Sequence, residues 1–427
     1  MSPSPASPTS PGFWRSPLRG PWFTSVLGVV LLGGITVLFV TGLVSYAAYN
    51  PDLSPVNDKT PDKGLLGFYL FAWPTDPHWL YRLNQGVHVT LGITLIPVLL
   101  AKLWSVVPKL FALPPARSLA HAMERISLLL LVGGVLFEFV TGVLNIQLDY
   151  IFPGSFYSLH FYGAWVFFAA FVVHVVLRAP AAVRNLRRMR EGKGPQEEAG
   201  VEPEFPLLSP RPAEPTVSRR GALWFVGGGS LLLFGTTVGQ NFDGPLRRTA
   251  LLAPHGGAGP GSGPGGFQIN KTAASRGISA AETSEEAWRL VVTGRSVTVR
   301  LSRAELLALP LHSAALPIAC VEGWSTSDQW WRGVRLRDLA ALVGHDADAA
   351  PDVLVESLQR RGAFRSAALR ANQVRDPRSL LALDVNGEPL TSDHGYPARI
   401  IVPAAPGVLN TKWVARMTFG DLREDVP

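Results

Sequence analysis

Four apolar runs dominate the first part of the chain, roughly Trp22–Tyr46, Gly86–Trp104, Ile126–Ile146 and Phe156–Leu177. Each reaches the roughly 20 residues a helix needs to cross hydrocarbon. Inside a bilayer every backbone N–H and C=O must find its partner within the protein, so such runs predict transmembrane helices. A fifth run, Gly221–Gly239, is shorter and glycine-rich but still long enough. Only 17% of the residues are charged, against about 25% in soluble domains.

The runs and the composition changes between them divide the 427 residues. A Pro/Ser-rich tail (1–20) is expected to be disordered and cytoplasmic. A four-helix membrane domain (21–180), a charged cytoplasmic linker (181–220) and a fifth membrane helix (221–240) follow. A Gly/Pro linker (241–266) leads into a last domain (267–427). In that domain short β-rich runs (Leu290–Val292, Ser296–Leu301, Val353–Ser357, Arg399–Val402, Trp413–Met417) alternate with helix-like segments at Ser302–Leu309 and Leu336–Leu342. The fold class is thus multi-domain: an all-α transmembrane four-helix bundle plus a fifth transmembrane helix, then an α+β domain.

The net charge of +7 is explained by topology. Basic residues collect before the first run (Arg15, Arg19), between the second and third (Lys102, Lys109, Arg117, Arg125) and after the fourth (Arg178 to Lys193, with Arg219 and Arg220). The positive-inside rule puts these loops and the N-terminus in the cytoplasm, in the cell membrane. Five spans then carry the last domain outside. Membrane lipid is the implied partner, and nucleic-acid binding is not needed to account for the charge. Ser218-Arg219-Arg220 is similar to a twin-arginine export signal, although positive-inside charge alone would also explain it.

A single cysteine, Cys320, excludes an intrachain disulfide, covalent haem attachment through Cys-x-x-Cys-His, and any four-cysteine cluster or zinc site. Redox chemistry must use histidines, carboxylates, a borrowed cofactor or that one thiol.

Inside the membrane region a repeat is visible. Phe39-Val40-Thr41-Gly42 recurs as Phe139-Val140-Thr141-Gly142, and His88 and His160 each have a partner position 14 residues on, at Lys102 and His174. Two helical hairpins related by a pseudo-two-fold would put His88 and His160 at equal depth. Ionisable groups in spans are costly and mark function. His88 and His160 are therefore candidate axial ligands of a b-type haem, with interhelical hydrogen bonding as the alternative. Gly33, Gly34, Gly86, Gly133, Gly134 and Gly163 are candidates for admitting a flat macrocycle. His174 lies about 21 Å further along the same face and is a candidate ligand of a second haem. Glu138 is a candidate proton or quinone contact, or a packing residue. The arrangement resembles the four-helix cytochrome b membrane subunits of bacterial formate dehydrogenases, hydrogenases and related reductases. The pair His160/His174 carries that likeness, while a first-helix histidine is missing, which points to one haem rather than two.

The last domain carries two motifs: Pro317-Ile-Ala-Cys320-Val-Glu322-Gly-Trp324-Ser325, and Asn386-Gly-Glu-Pro-Leu-Thr-Ser-Asp-His394-Gly-Tyr-Pro-Ala-Arg399, ending at Thr411-Lys412-Trp413. In this order they resemble the molybdopterin-binding domain of the sulfite oxidase superfamily. The resemblance implies Mo-molybdopterin as cofactor, with Cys320 as the protein's thiolate ligand to molybdenum. It also implies that His394, Arg399 and Lys412 hold the pterin and its phosphate, with Asn270 as a further contact. Sulfite oxidases follow the cysteine with a basic run. Here Val321-Glu322-Gly323-Trp324 stands instead, which is more similar to the periplasmic methionine-sulfoxide reductase catalytic subunits and makes Glu322 a candidate catalytic residue. With the chain ending at Pro427, the superfamily's immunoglobulin-like dimerisation domain is expected to be absent.

The reading these features imply is a membrane-bound molybdenum oxidoreductase coupled through haem to the quinone pool. Its substrate would be a small S- or N-oxide. The alternatives are a sulfite-type dehydrogenase acting on a sulfur oxyanion, and a non-catalytic membrane anchor or sensor.

Overall fold

The computed structural model describes residues 7–9, 13–16, 18–19, 21–53, 71–111, 119–146, 156–190, 213–242, 244–253, 266–360 and 364–422. Much of the expected N-terminal tail, most of the charged linker and much of the Gly/Pro linker lie outside the described residues.

Five long helices match the five apolar runs: α1 (Pro21–Ala47), α2 (Leu80–Leu110), α3 (Leu119–Asn145), α4 (Phe156–Arg190) and α5 (Arg219–Gly235). The segments Trp22–Ala47, Leu80–Leu110, Arg125–Asn145, Phe156–Pro180 and Arg219–Asn241 are long and apolar enough to cross a membrane. α4 continues past the expected boundary at 180, through Pro180 to Arg190. The Ala, Leu, Met and Arg residues there are strong helix formers, which favours continuation beyond the apolar stretch. Ser218 caps α5, its Oγ accepting from the Gly221 N–H at 3.0 Å.

The chain packs as two compact units: Met1–Phe39, Leu91–Leu144 and Leu159–Phe234 form one, while Val40–Thr90, Asn145–Ser158 and Gly235–Pro427 form the other. The division differs from the one expected at 180 and 267, because the ends of α1 and α2 nearest their connection pack with the α+β domain. In the first unit, Phe23, Leu27, Leu31 and Ile35 recur every fourth residue along α1. They bury against Leu95 and Leu99 of α2, Val135 of α3 and Phe167 and Phe171 of α4. This is the inward stripe of an apolar helix. Outward positions such as Val30, Leu129, Val173 and Leu231 are apolar and exposed, a pattern compatible with a membrane-spanning helix.

The second unit contains two five-stranded sheets. The strands are β1 (Leu290–Thr293), β2 (Thr298–Leu301), β3 (His312–Leu316), β4 (Gln329–Arg335), β5 (Val353–Ser357), β6 (Ser366–Leu369), β7 (Leu380–Val385), β8 (Glu388–Pro389), β9 (Arg399–Ile401) and β10 (Val414–Phe419). One sheet has the order β2-β1-β10-β5-β6, with β1 and β10 parallel. The other runs β3-β4-β7-β8, with β9 also paired to β7. Three short helices, α6 (Arg303–Ala308), α7 (Leu336–Leu342) and α8 (Ala371–Arg375), complete it. Ser302 and Glu305 form a capping box that starts α6. Asn386 and Gly387 both take positive φ and turn β7 into β8, the preferred chemistry of a two-residue hairpin.

β7 positions the site. Its sequence Leu-Leu-Ala-Leu-Asp-Val is buried on both faces. By the two-residue alternation of a strand, Leu381 and Leu383 enter one core with Leu290, Val355, Met417 and Ile400. Leu380 and Ala382 enter another with Cys320, Trp324, Trp331 and Leu316.

The connection between α1 and α2 binds the same unit. Asn50 Nδ2 donates to Ala368 O (3.0 Å) and Gln373 Oε1 (2.8 Å). Trp73 Nε1 donates to Ala404 O at 2.7 Å, and Arg378 pairs with Asp76 at 2.8 Å.

Candidate active site

Cys320 sits in a tight loop between two segments that pair at Ala319 and Ser325. Cys320 N–H donates to Trp324 O at 2.9 Å, and Gly323 N–H donates to Cys320 O at 3.1 Å. Gly323 has a φ of +93°, a conformation in which other residues are strained. The loop presents Cys320 to a cleft of about 600 Å³, counted to its open mouth. Phe267, Asn270, Lys271, Gln359, His394, Arg399, Asn410, Thr411 and Lys412 are among the residues lining it.

The structure thus brings together Cys320, Asn270, His394, Arg399 and Lys412, which are far apart in sequence. Asn270 Nδ2 lies 3.7 Å from Cys320 Sγ. Arg399, on β9, donates to His394 O (3.0 Å) and Asn410 O (3.3 Å) and stands over the Trp331 ring. Lys412 Nζ donates to the carbonyls of Lys271 (2.6 Å) and Asp393 (2.8 Å). His394 lines the cleft, but its own nitrogens are engaged within the protein. Nε2 meets Phe267 O at 3.2 Å and Nδ1 meets Thr391 Oγ1 at 2.8 Å. Since a carbonyl only accepts, Nε2 carries the proton and Nδ1 accepts from the hydroxyl. His394 therefore anchors the Phe267–Lys271 segment that brings Asn270 to the sulfur. Glu322 is half-buried and accepts from Trp324 Nε1 at 2.8 Å. Its neighbours Cys320 and Trp324 line the cleft.

Electrostatics describe what the cleft is built for. Burial, then neighbouring Arg399, lowers His394 to a pKa of about 4, so it is neutral. Burial alone brings Arg399 down to about 9. Lys412 is pushed well down by burial, then by Arg399 and Lys271. Burial, then the Glu322 carboxylate, raises the Cys320 thiol. At neutral pH these shifts leave Arg399 charged and His394 neutral, and they keep the proton on the Cys320 thiol.

A direct test of fit lies in the unmatched polar atoms. Arg399 Nε, Asn410 Nδ2 and Thr411 Oγ1 are buried with no hydrogen-bond partner among the described residues. All three belong to residues that line the cleft. Each buried, unmatched group costs about 1–3 kcal/mol, a large part of a typical stability of about 5–15 kcal/mol. A bound anion with several acceptor oxygens would match them, as the phosphate of a molybdopterin does. The residues fit the cofactor. Asn410, Thr411, Lys271 and Gln359 were not singled out from the sequence, although Asn410 and Thr411 directly precede Lys412 and Lys271 follows Asn270.

The membrane-region histidines were read as a pair, and each is described in its own unit. His88 Nδ1 lies 2.9 Å from Thr41 Oγ1, and a Cβ built on Gly42 would be 3.4 Å from His88 Cε1. In the other unit His160 Nδ1 lies 3.1 Å from Thr141 Oγ1, and a Cβ on Gly142 would be 3.3 Å from His160 Cε1. The repeated Thr-Gly tag is thus a repeated histidine clasp. Thr141 Oγ1 donates to Phe137 O at 2.7 Å, and Glu138 Oε2 is 3.1 Å from His160 Nδ1. With its own proton directed to Phe137 O, Thr141 accepts from Nδ1, which leaves the lone pair on Nε2, as an iron ligand needs. Glu138 is accordingly the histidine's partner. His174 is half-buried on α4 with Lys102, Lys109 and Arg178 as its charged neighbours. Of the glycines expected to admit a macrocycle, four are taken by packing. Cβ atoms on Gly34, Gly86 and Gly163 would strike Leu95, Asn241 and Glu138 respectively, and one on Gly134 would crowd Phe167. Gly33 and Gly133 face open space.

Fold and cleft together define a molybdopterin-binding oxidoreductase domain. Residues 277–426 match the family model of the oxidoreductase molybdopterin binding domain. The C-terminal region is thus a sulfite oxidase-like member of that domain family. It is 36% identical over 158 residues to the mitochondrial sulfite oxidase of Homo sapiens, covering 31% of this chain and 29% of that protein. With the mitochondrial sulfite oxidase of Drosophila melanogaster it shares 30% identity over 162 residues, 33% of this chain and 28% of the relative. The uncharacterized oxidoreductase YuiH of Bacillus subtilis (strain 168) is 32% identical over 133 residues, 31% of this chain and 65% of that protein. The chain therefore spans under a third of the length of these sulfite oxidases.

Arg399→Leu tests the anion cradle. Losing hydrogen bonds to a charged partner, worth about 1.5–3 kcal/mol each, should weaken cofactor binding about 10- to 100-fold. The molybdenum-to-protein ratio of the purified variant measures it. A ratio equal to wild type would show that the cradle holds something else.

Proposed function

We propose that the protein is a membrane-bound molybdenum enzyme that reduces an S- or N-oxide with electrons drawn from quinol through a b-type haem. The observation that carries the reading is the buried thiol of Cys320 in a cationic cleft with three unmatched donors, in a chain with five membrane-length apolar helices. In the overall reaction quinol gives up two electrons and two protons. The oxide takes both, and its oxygen leaves as water.

Molybdenum held by the pterin dithiolene and the Cys320 thiolate would supply two-electron oxygen-atom transfer. The chain's own residues do the rest. Arg399 and Lys412 fix the pterin phosphate. Asn270 donates toward the sulfur and His394 holds the segment that carries Asn270. Glu322, tied to Trp324, keeps a carboxylate close to Cys320 and so disfavours an anionic substrate over a neutral oxide. Haem b, with His88 and His160 as ligands, would supply one-electron transfer. The Nδ1 contacts to Thr41 and to Thr141 and Glu138 orient the two rings. Basic residues at the start of α5 are unfavourable to its helix dipole. Arg219 and Arg220 there support a cytoplasmic start for this helix, with the molybdenum domain outside, and are compatible with twin-arginine export.

A sulfite-type dehydrogenase is the second reading, favoured by relatives named sulfite oxidase and by the cations around the cleft. One paired assay separates them. Quinol-dependent reduction of methionine sulfoxide without sulfite-dependent haem reduction is the expected result. The reverse pattern would establish the dehydrogenase.

A further inference from the structure

Within the second unit the Cys320 loop rests on the turn of α2 that carries His88. Gln85 Nε2 donates to Val321 O at 2.6 Å, and Ser45 Oγ donates to Gln85 Oε1 at 3.0 Å. The hydroxyl thereby fixes which way the amide points. Gln85 and Ser45 are both buried. One turn on, Val89 presses on the loop. A Cβ built on Gly323 would lie 2.6 Å from Val89 Cβ. Only glycine satisfies both that contact and the positive φ. His88 lies between these two contact residues in sequence. Its ring is held by Thr41, whose carbonyl also accepts from Asn84 Nδ2 at 2.9 Å.

We propose that Gln85 is a positioning residue that joins the Cys320 loop to the His88 turn for electron passage between the two cofactors. The inference rests on the haem reading above. The path runs from Cys320 through its peptide to the Val321 carbonyl, across the hydrogen bond to the Gln85 amide, and along one helical turn to His88. Each event moves one electron. A haem held at His88 would give up that electron and the metal held at Cys320 would gain it, with no bond of the protein formed or broken. The joint also accounts for the sequence after the cysteine. A side chain at position 323 would strike Val89, so glycine is required there.

The test uses the full chain with both cofactors and the variants Gln85→Leu and Ser45→Ala. A photoreduced deazaflavin reduces the haem in a flash, and haem absorbance then reports exchange with molybdenum without any substrate. Gln85→Leu should slow that relaxation about tenfold, the lower end of what loss of a partner behind a metal ligand costs. Ser45→Ala should slow it less. Molybdenum content, the Mo(V) electron-spin-resonance line shape and the haem spectrum should match wild type. Deuterium exchange of the Val321–Ser325 amides should rise in Gln85→Leu. Relaxation at the wild-type rate in both variants would overturn the joint. So would loss of molybdenum or a changed Mo(V) signal in step with the slowing, since that is a merely structural role. A wild-type protein with no b-type band would fail the haem reading itself, and the joint with it, before any variant is made.

Discussion

Cys320→Ser leaves the protein without substrate turnover while the reduced-minus-oxidised haem spectrum stays that of wild type. Serine keeps the volume and the tight loop, in which the Cys320 N–H and C=O bond to Trp324 and Gly323. What it removes is the soft sulfur that molybdenum prefers. The hydroxyl oxygen is harder and far more reluctant to lose its proton. The separation of readouts follows from chemistry, because the proposed haem ligands are His88 and His160 and not this side chain. Activity driven by reduced dye, measured beside the visible spectrum, checks it. A serine variant with wild-type turnover would remove Cys320 from the reaction, whereas loss of both signals would point to misfolding.

His160→Ala abolishes the b-type band, and His88→Ala does the same. An alanine would leave the proposed haem iron one strong ligand short. In the His160 variant the Glu138 carboxyl also loses its contact with the ring, while the Thr141 hydroxyl keeps its bond to Phe137 O. Thr141→Val is the milder counterpart. It removes one contact behind the ligand and should cost about 10- to 100-fold in haem affinity. Difference spectra of membranes and pyridine-haemochrome quantitation measure both. A full band in either alanine variant refutes that residue as a ligand.

The helices were legible because twenty apolar residues in a row have few alternatives in water or lipid. The strands were legible where β-branched residues alternate, as in β1, β2 and β5, or where a motif marked them, as at β9. β7 was missed. Buried on both faces, Leu380–Val385 has no alternation to read and resembles a helical segment. β4 was missed because Arg332 and Arg335 interrupt its pattern. Cys320, Arg399 and Lys412 stood out through their motifs. Asn410 lay outside them, and Thr411 stood in one without a role, because a polar residue shows its purpose only when burial leaves it unmatched. The Thr-Gly repeat was visible as text, yet its meaning as a histidine clasp needed the helices side by side. The expected domain boundaries followed composition, whereas packing follows contacts and drew the ends of α1 and α2 into the second unit.

β7 has a consequence for how the molecule comes apart. One strand supplies alternate side chains to two cores, so neither core opens without losing a wall of the other. The wall behind Cys320 therefore has no cheap local melting route of its own. Its exposure is tied to the cooperative loss of the whole domain, which keeps the Cys320 thiol shielded for as long as the fold persists.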